Sequence, residues 1–307
     1  MLIISDNGRA MLALPTERAT AAALGVFDGV HRGHRAVIGR AREYAEKNGL
    51  AAAVCTFKTD TISTKGTDFL PIFTEEKKLS LLSGEGVEYI YDPDFSHVRD
   101  MSAEVFVRDI LAKKLRAASV VCGNDFRLGK NAACGVHELE NICRDFGIAV
   151  IPVDDITEQG EKISSARLRQ MIKNGDISGA NRLLGSCYSI DGEVICGNRF
   201  GRQMNFPTAN QALPRGVVCP MYGVYASRAV IDGRTVKGIT NIGIKPTVSD
   251  EGMPLSETHF IGFEGDIYGR DISVELLRFI RPEKKFDSPG ELQRQIGRDI
   301  AEAEKIT

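Results

Sequence analysis

Three features of the chain predict an α/β domain with a parallel sheet, followed by a small antiparallel β-barrel with a C-terminal helix. Short apolar runs alternate with helical periodicity up to about residue 184. Near residue 187 the texture changes to β-rich runs separated by turn residues. The last segment carries a helix start signal and an apolar stripe. These place the first domain at residues 1–185 and the second at 186–307.

The apolar run TAAAL ends at Gly25, and the following segment puts Val37, Ala41, Tyr44 and Ala45 on one helical face. Asn48-Gly49 stops that helix, and AAAVCTF begins the next strand. VEYIY, ASVVCG and GIAVIPV read as further buried strands, with helical patterns between them. Strands of this kind belong in a parallel sheet covered on both faces. Beyond residue 187, SIDGEVICG, GVYASRAVI, TVKGITNIG, THFIGF and DISVELLRFI read as strands. Asp232-Gly233 predicts a hairpin turn between two of them. Ser288, Pro289 and Glu291 supply an N-cap, a first-turn proline and a capping-box carboxylate. Leu292, Ile296, Ile300 and Ala303 then share one face.

A chain of 307 residues with 43% hydrophobic and 26% charged residues can bury a core without disulfides. Its formal charge of −2, with no long basic run, points away from nucleic acid as a bulk partner. MLIISDNGRAMLALP has no basic leader and reads as a strand or lead-in, and no apolar run is long enough to span a membrane. Seven cysteines without a CxxC pair, several inside apolar runs, indicate buried thiols and the cytoplasm.

GVFDGVHRGH (residues 25–34) joins a strand to a helix, where backbone N–H groups and the helix dipole favour an anion. His31 and His34 could donate to phosphate oxygens, and Gly33 would let the phosphate approach; a helix start with two surface histidines, or one fragment of a metal site, is the alternative. GNDFRLGK (123–130) follows an apolar strand, at the edge where parallel sheets bind ligands. ISSARLR (163–169) sets two hydroxyls at a helix start and two guanidiniums just after.

In FPTAN (206–210), Thr208 and Asn210 share a face of an extended segment, and their side-chain oxygens are hard ligands suited to Mg²⁺. A proline-containing turn with polar residues is the other reading of that string. Gly197 and Gly201 can bring backbone N–H groups close to phosphate, with Arg202 adding charge.

The HxGH segment is similar to that of the nucleotidyltransferase superfamily. GVFDGVHRGH, GNDFRLGK, ISSARLR, FPTAN, NIGIKPT, ETH, DIYG and RPEKKFDS occur in an order that resembles the bacterial bifunctional riboflavin kinase/FAD synthetase (FMN adenylyltransferase) family. The resemblance spans about residues 20–304 and implies a Rossmann-like nucleotidyltransferase domain followed by a kinase barrel. For the first site it implies ATP and phosphate contacts from Gly25, Phe27, Asp28, His31, Gly33, His34, Asn124, Asp125, Ser164, Ser165 and Arg167. For the second it implies nucleotide contacts from Gly197, Gly201, Arg202, Pro207, Thr208 and Asn210, with Mg²⁺ on Thr208 and Asn210. Glu257 would be the catalytic base, and Asn241, Arg281 and Phe286 would border the flavin. A solvated strand-edge residue is what Glu257 would be without that context.

The implied activity is ATP-dependent phosphorylation of riboflavin to FMN, then adenylylation of FMN to FAD. ATP, riboflavin, FMN and FAD are the expected small-molecule partners, and self-association is left open. The alternative is a riboflavin kinase alone, with a weak or inactive first domain. Ala166, where the family commonly has threonine, and Leu128, where it commonly has phenylalanine, motivate it.

Overall fold

The computed structural model describes residues 2–4, 16–59, 69–196, 206–244 and 254–306. Two compact units divide the chain, Met1–Ser165 and Ala166–Thr307.

The first unit contains β1 (Leu2–Ile4), β2 (Thr20–Leu24), α1 (Arg32–Asn48), β3 (Ala51–Cys55), α2 (Glu75–Ser83) and β4 (Tyr89–Tyr91). Then come α3 (Phe95–Val98), α4 (Ala103–Phe106) running on as a π-helical stretch Val107–Lys114, β5 (Ala117–Gly123), α5 (Val136–Asp145) and β6 (Ala149–Val153). A small hairpin, β7 (Thr157–Glu158) and β8 (Glu161–Lys162), completes it. The six-stranded sheet has the order β1-β4-β3-β2-β5-β6, and its neighbours pair in parallel. Every residue of β2 and β3 is buried, as a sheet covered on both faces requires. From β2 the chain steps to β3 and β4 on one side and to β5 and β6 on the other. The carboxyl end of β2 is therefore the switch point, where open sheets of this kind leave a crevice.

Helix α1 buries Val37, Ile38, Ala41 and Ala45 and ends on Gly49, whose φ of 67° places it in the left-handed region. There its N–H closes on the Ala45 and Glu46 carbonyls, and a side chain would be strained.

The second unit begins within α6 (Ser165–Lys173) and continues with α7 (Ile177–Leu184). Its strands are β9 (Tyr188–Glu193), β10 (Ala209–Ala212), β11 (Gly223–Ile231), β12 (Arg234–Ile244), β13 (Pro254–Phe260) and β14 (Asp271–Arg281), and α8 (Pro289–Glu304) follows. The sheet order is β10-β13-β12-β11-β14-β9, antiparallel throughout. A bridge from the Ile195 N–H to the Asn210 carbonyl, 2.8 Å, joins the two outermost strands and closes the barrel. The compact division falls earlier than residue 185 because α7 hydrogen-bonds to the barrel. Asn181 Nδ2 donates to the Leu276 carbonyl at 2.8 Å, and the Tyr188 N–H donates to Asn181 Oδ1 at 2.8 Å.

Asp232 and Gly233, with φ of 50° and 75°, form the hairpin turn between β11 and β12. Ser288 caps α8 by accepting from the Glu291 N–H at 3.3 Å. Glu291 reaches back to the Asp287 N–H, one residue before the cap expected for it. Ile296, Ile300 and Ala303 pack against Val224, Ala226 and Ile239, which fixes α8 on the outer face of the barrel. Among the described residues no helix is long and apolar enough to cross a membrane.

Candidate functional sites

In the first unit, the loops leaving β2, β5 and β6 lie side by side because their strands are neighbours. His31 is the N-cap of α1: its Nδ1 accepts from the His34 N–H at 3.2 Å. An accepting Nδ1 leaves the ring proton on Nε2, which is then a donor. The His31 and His34 rings stack 3.5 Å apart and 15° from parallel, and the Phe27 ring meets His34 edge-on at 5.3 Å. Burial pushes the His31 pKa down to about 4, opposed by a backbone hydrogen bond and assisted by the charge of Lys162. His34 is lowered well below its ordinary value, by burial and then by His31. Both rings are neutral near pH 7. His34 Nδ1 is buried and has no hydrogen-bond partner among the described residues.

Gly33 leaves room that a Cβ would lose: it would stand 3.2 Å from the His31 ring and 3.8 Å from the Ile163 carbonyl. The start of ISSARLR is thus held against the histidine pair. Ser165 Oγ donates to the Asp28 carbonyl at 2.9 Å. Asn124 Nδ2 donates to Asp154 at 2.8 Å, and Lys162 bridges Asp125 at 2.5 Å and Asp155 at 2.7 Å. His31, Gly33, His34, Ser165 and the Asn124–Asp125 loop therefore occupy one edge of the sheet.

Two residues expected to touch ATP work from inside the loop instead. Phe27 is 1% exposed, adopts φ of 52° and belongs to the core with Val30 and Ile38. Gly25 makes way for its ring, since a Cβ there would lie 3.0 Å from it. Asp28 is buried, and its Oδ1 accepts from the Ile72 N–H at 2.8 Å. Leu128 is a core residue paired with Cys134, so its departure from the family pattern is absorbed by packing. Ser164 is half-buried, while Arg167 lies on α6 in the second unit.

In the barrel, the register puts Asn210, Glu257 and Asn241 in one row across β10, β13 and β12. Residues directly opposite one another in a sheet present side chains to the same face. Val224 and Arg281 continue the row on β11 and β14. Val224 packs toward α8, so this is the outer face of the barrel. Thr208 is two residues before Asn210, and the Asn210 amide nitrogen donates to the Thr208 carbonyl at 3.3 Å. His259 Nδ1 lies 3.0 Å from the Pro207 carbonyl, and its ring meets Phe206 edge-on. Beside Thr208 opens a cleft of about 50 Å³ lined by Pro207, Phe260, Phe263, Ile267 and Tyr268.

Arg281, expected at the flavin, is committed elsewhere. Its guanidinium binds both oxygens of Asp299 on α8 at 2.8–3.1 Å, and Asp299 is 2% exposed. The Phe286 ring faces that guanidinium at 5.7 Å and Lys284 Nζ at 5.5 Å. Gly197, Gly201 and Arg202 lie outside the described residues, as do Lys245, Pro246 and Thr247.

Sequence reading missed Lys162, Asp299 and Gln211, the last 0% exposed on β10. Asp299 was traceable: Gln295 and Asp299 are four apart beside the apolar stripe of α8 and share a hydrogen bond of 2.9 Å. Lys162 and Gln211 carry no local signal.

A family model described as FAD synthetase matches residues 14–167, and one described as riboflavin kinase matches residues 184–307. The chain is 37% identical over 287 residues to the bifunctional riboflavin kinase/FMN adenylyltransferase of Bacillus subtilis (strain 168), covering 92% of this chain and 90% of that one. It is 35% identical to the protein of the same description in Escherichia coli (strain K12), covering 90% and 89%. The crystal structure of a Streptococcus pneumoniae protein named as a macrolide-efflux protein superposes with a TM-score of 0.87, at 30% identity and 99% coverage of both chains. Two family matches in the order of the two units, with relatives of one description along nearly the whole length, have one consequence. The chain belongs to the bifunctional riboflavin kinase/FMN adenylyltransferase family.

Proposed function

We propose that the two reactions of this family divide between the two units: the barrel phosphorylates riboflavin to FMN, and the α/β unit adenylylates FMN to FAD. The observation that carries the division is the pair of separate constellations. One is a histidine-capped helix at a parallel-sheet switch point; the other is a carboxylate in register with Asn210 on a barrel face. Kinase activity alone would leave the stacked, neutral His31–His34 pair without a purpose.

In the barrel, Thr208 and Asn210 would hold Mg²⁺. A hydroxyl and an amide oxygen are hard donors, and the Asn210–Thr208 hydrogen bond ties the two residues into one unit. The metal supplies neutralisation of phosphate charge. Glu257, in the same row, accepts the proton of the ribityl 5′-hydroxyl as that oxygen attacks the γ-phosphorus of ATP.

In the α/β unit, the FMN phosphate attacks the α-phosphorus of ATP and pyrophosphate leaves, with no covalent enzyme intermediate. The His31 Nε2–H and the N–H groups of the first turn of α1 face developing negative charge as fixed donors. Gly33 permits close approach, and Asn124, Asp125, Ser164 and Ser165 complete the pocket within this unit. A cytoplasmic location suits the thiols of Cys55, Cys122, Cys134 and Cys143, which are all buried.

The test is one chromatogram. Pure protein incubated with riboflavin, ATP and Mg²⁺ is expected to give FMN and then FAD. FMN without FAD, also when FMN itself is supplied, would reduce the protein to a kinase.

A further inference from the structure

The barrel is closed where its two outermost strands meet. β10 has four residues, pairs fully with β13 on one side, and on the other meets the chain just beyond β9 through an Ile195–Asn210 bridge among the described residues. Next to that bridge stands Gln211, fully buried on the inner face. Its Nε2 donates to the Gly192 carbonyl at 2.8 Å and to the Ile272 carbonyl at 2.7 Å. Gly192 and Ile272 are themselves partners across β9 and β14. One amide group thus ties β10 to the two strands beyond the seam. Its Oε1 has no hydrogen-bond partner among the described residues, so the nitrogen makes both of these bonds.

We infer that Gln211 is a positioning residue for the metal-binding edge of the kinase site, holding Asn210 and Thr208 in place by clamping β10 to β9 and β14. The inference rests on the assignment of Mg²⁺ to Thr208 and Asn210. Asn210 and Gln211 are consecutive and point to opposite faces, so a clamp on the inner side steadies the ligand on the outer side. Residues that orient metal ligands from behind typically change metal affinity by about 10–100-fold.

Gln211→Met isolates this role. Methionine has nearly the same length and lacks the donor, and it also removes the unpartnered buried oxygen, which limits the cost to folding. Mn²⁺ binding to the full chain is followed by electron paramagnetic resonance in the presence of ADP. The class of sites that Asn210→Ala removes defines the barrel site. Gln211→Met is expected to weaken that class by about 10–100-fold. Ser227→Ala, which removes a hydroxyl bonded at 2.8 Å to Thr240 inside the same barrel, is expected to leave it unchanged. FAD formation from supplied FMN, assayed in parallel, should be unaffected by Gln211→Met. Should that variant fail to fold, Gln211→Asn keeps the amide but is one methylene too short to reach both carbonyls, and serves in its place. Wild-type Mn²⁺ affinity in the Gln211 variant, with the class lost in Asn210→Ala, overturns the inference and leaves the metal assignment standing. If Asn210→Ala loses no Mn²⁺ site, the metal assignment fails and the inference falls with it. If Ser227→Ala weakens binding as much as the Gln211 variant, the effect is general to the barrel core and the clamp is rejected.

Discussion

Asn210 on β10 and Glu257 on β13 are a directly opposed cross-strand pair, and Asn241 on β12 extends the same row. Cross-strand partners have Cβ atoms roughly 4.5–5.5 Å apart, so an amide oxygen and a carboxylate share one small surface. That register sets Glu257 directly across from Asn210, beside the Mg²⁺ position proposed for Thr208 and Asn210.

Glu257→Gln keeps the size of the side chain and removes its capacity to take a proton. FMN formation is expected to fall by about 10²–10⁴-fold. FAD formation from supplied FMN should not change. Parallel loss of both activities in a folded variant would refute the division between units.

The converse variant, His31→Ala with His34→Ala, is expected to spare FMN formation and to reduce FAD formation. Loss of a fixed donor to developing charge typically costs about 10²–10³-fold. Because His31 also caps α1, the alanine loses about 1 kcal/mol of helix stability. His31→Asn separates the roles: asparagine caps the helix well, so stability should hold while FAD formation still falls.

Much of this was legible in the sequence, for reasons that differ between elements. TAAAL and AAAVC are built from alanine, a strong helix former, yet they form β2 and β3. Their shortness and the flanking Gly25 and Asn48-Gly49 revealed them, because punctuation survives when propensity misleads. The Asp232-Gly233 turn and the cap of α8 are local in chemistry and were read directly. The histidine pair was read as two phosphate donors, but the helix-capping role of His31 depends on ring orientation, which no spacing encodes. The pairing of Arg281 is hidden for a similar reason: its partner Asp299 is 18 residues away, on a helix whose docking only the folded barrel determines.

The Arg281–Asp299 pair yields a stability prediction. Removing one member of a buried ion pair leaves an uncompensated charge and costs about 3–5 kcal/mol. Arg281→Ala should therefore release α8 from β14, seen as faster hydrogen exchange in residues 289–304 and earlier thermal unfolding. A selective rise in the KM for riboflavin, with α8 still protected, would instead restore Arg281 to the flavin.

Buried groups of the first unit titrate with opposite consequences for stability, His31 and His34 on one side and Asp92 on the other. Burial lowers the His31 pKa to about 4, so between pH 6.5 and 4 the unfolded chain binds more protons than the folded one. Its contribution is complete above pH 6.5 and is lost as pH falls toward 4. Asp92 is pushed up to about 7, first by burial and then, against the pull of Lys78, by Glu75. For Asp92 the folded state holds the extra proton, so its contribution is complete below about pH 4 and is lost as pH rises through 7. Across pH 4–6.5 the two slopes oppose each other, each approaching about 1.4 kcal/mol per pH unit. His34, lowered together with His31, adds a second slope of the same sign, so native-state hydrogen exchange of α1 and β4 in the wild type is expected to show stability falling as pH drops below 6.5, after correction for intrinsic rates. His31→Asn combined with His34→Asn should expose the Asp92 slope, with stability falling as pH rises. Asp92→Asn should expose the His31 slope, with stability falling as pH drops. Slopes of the same sign in both variants would show that one of these groups is not buried as its neighbours imply.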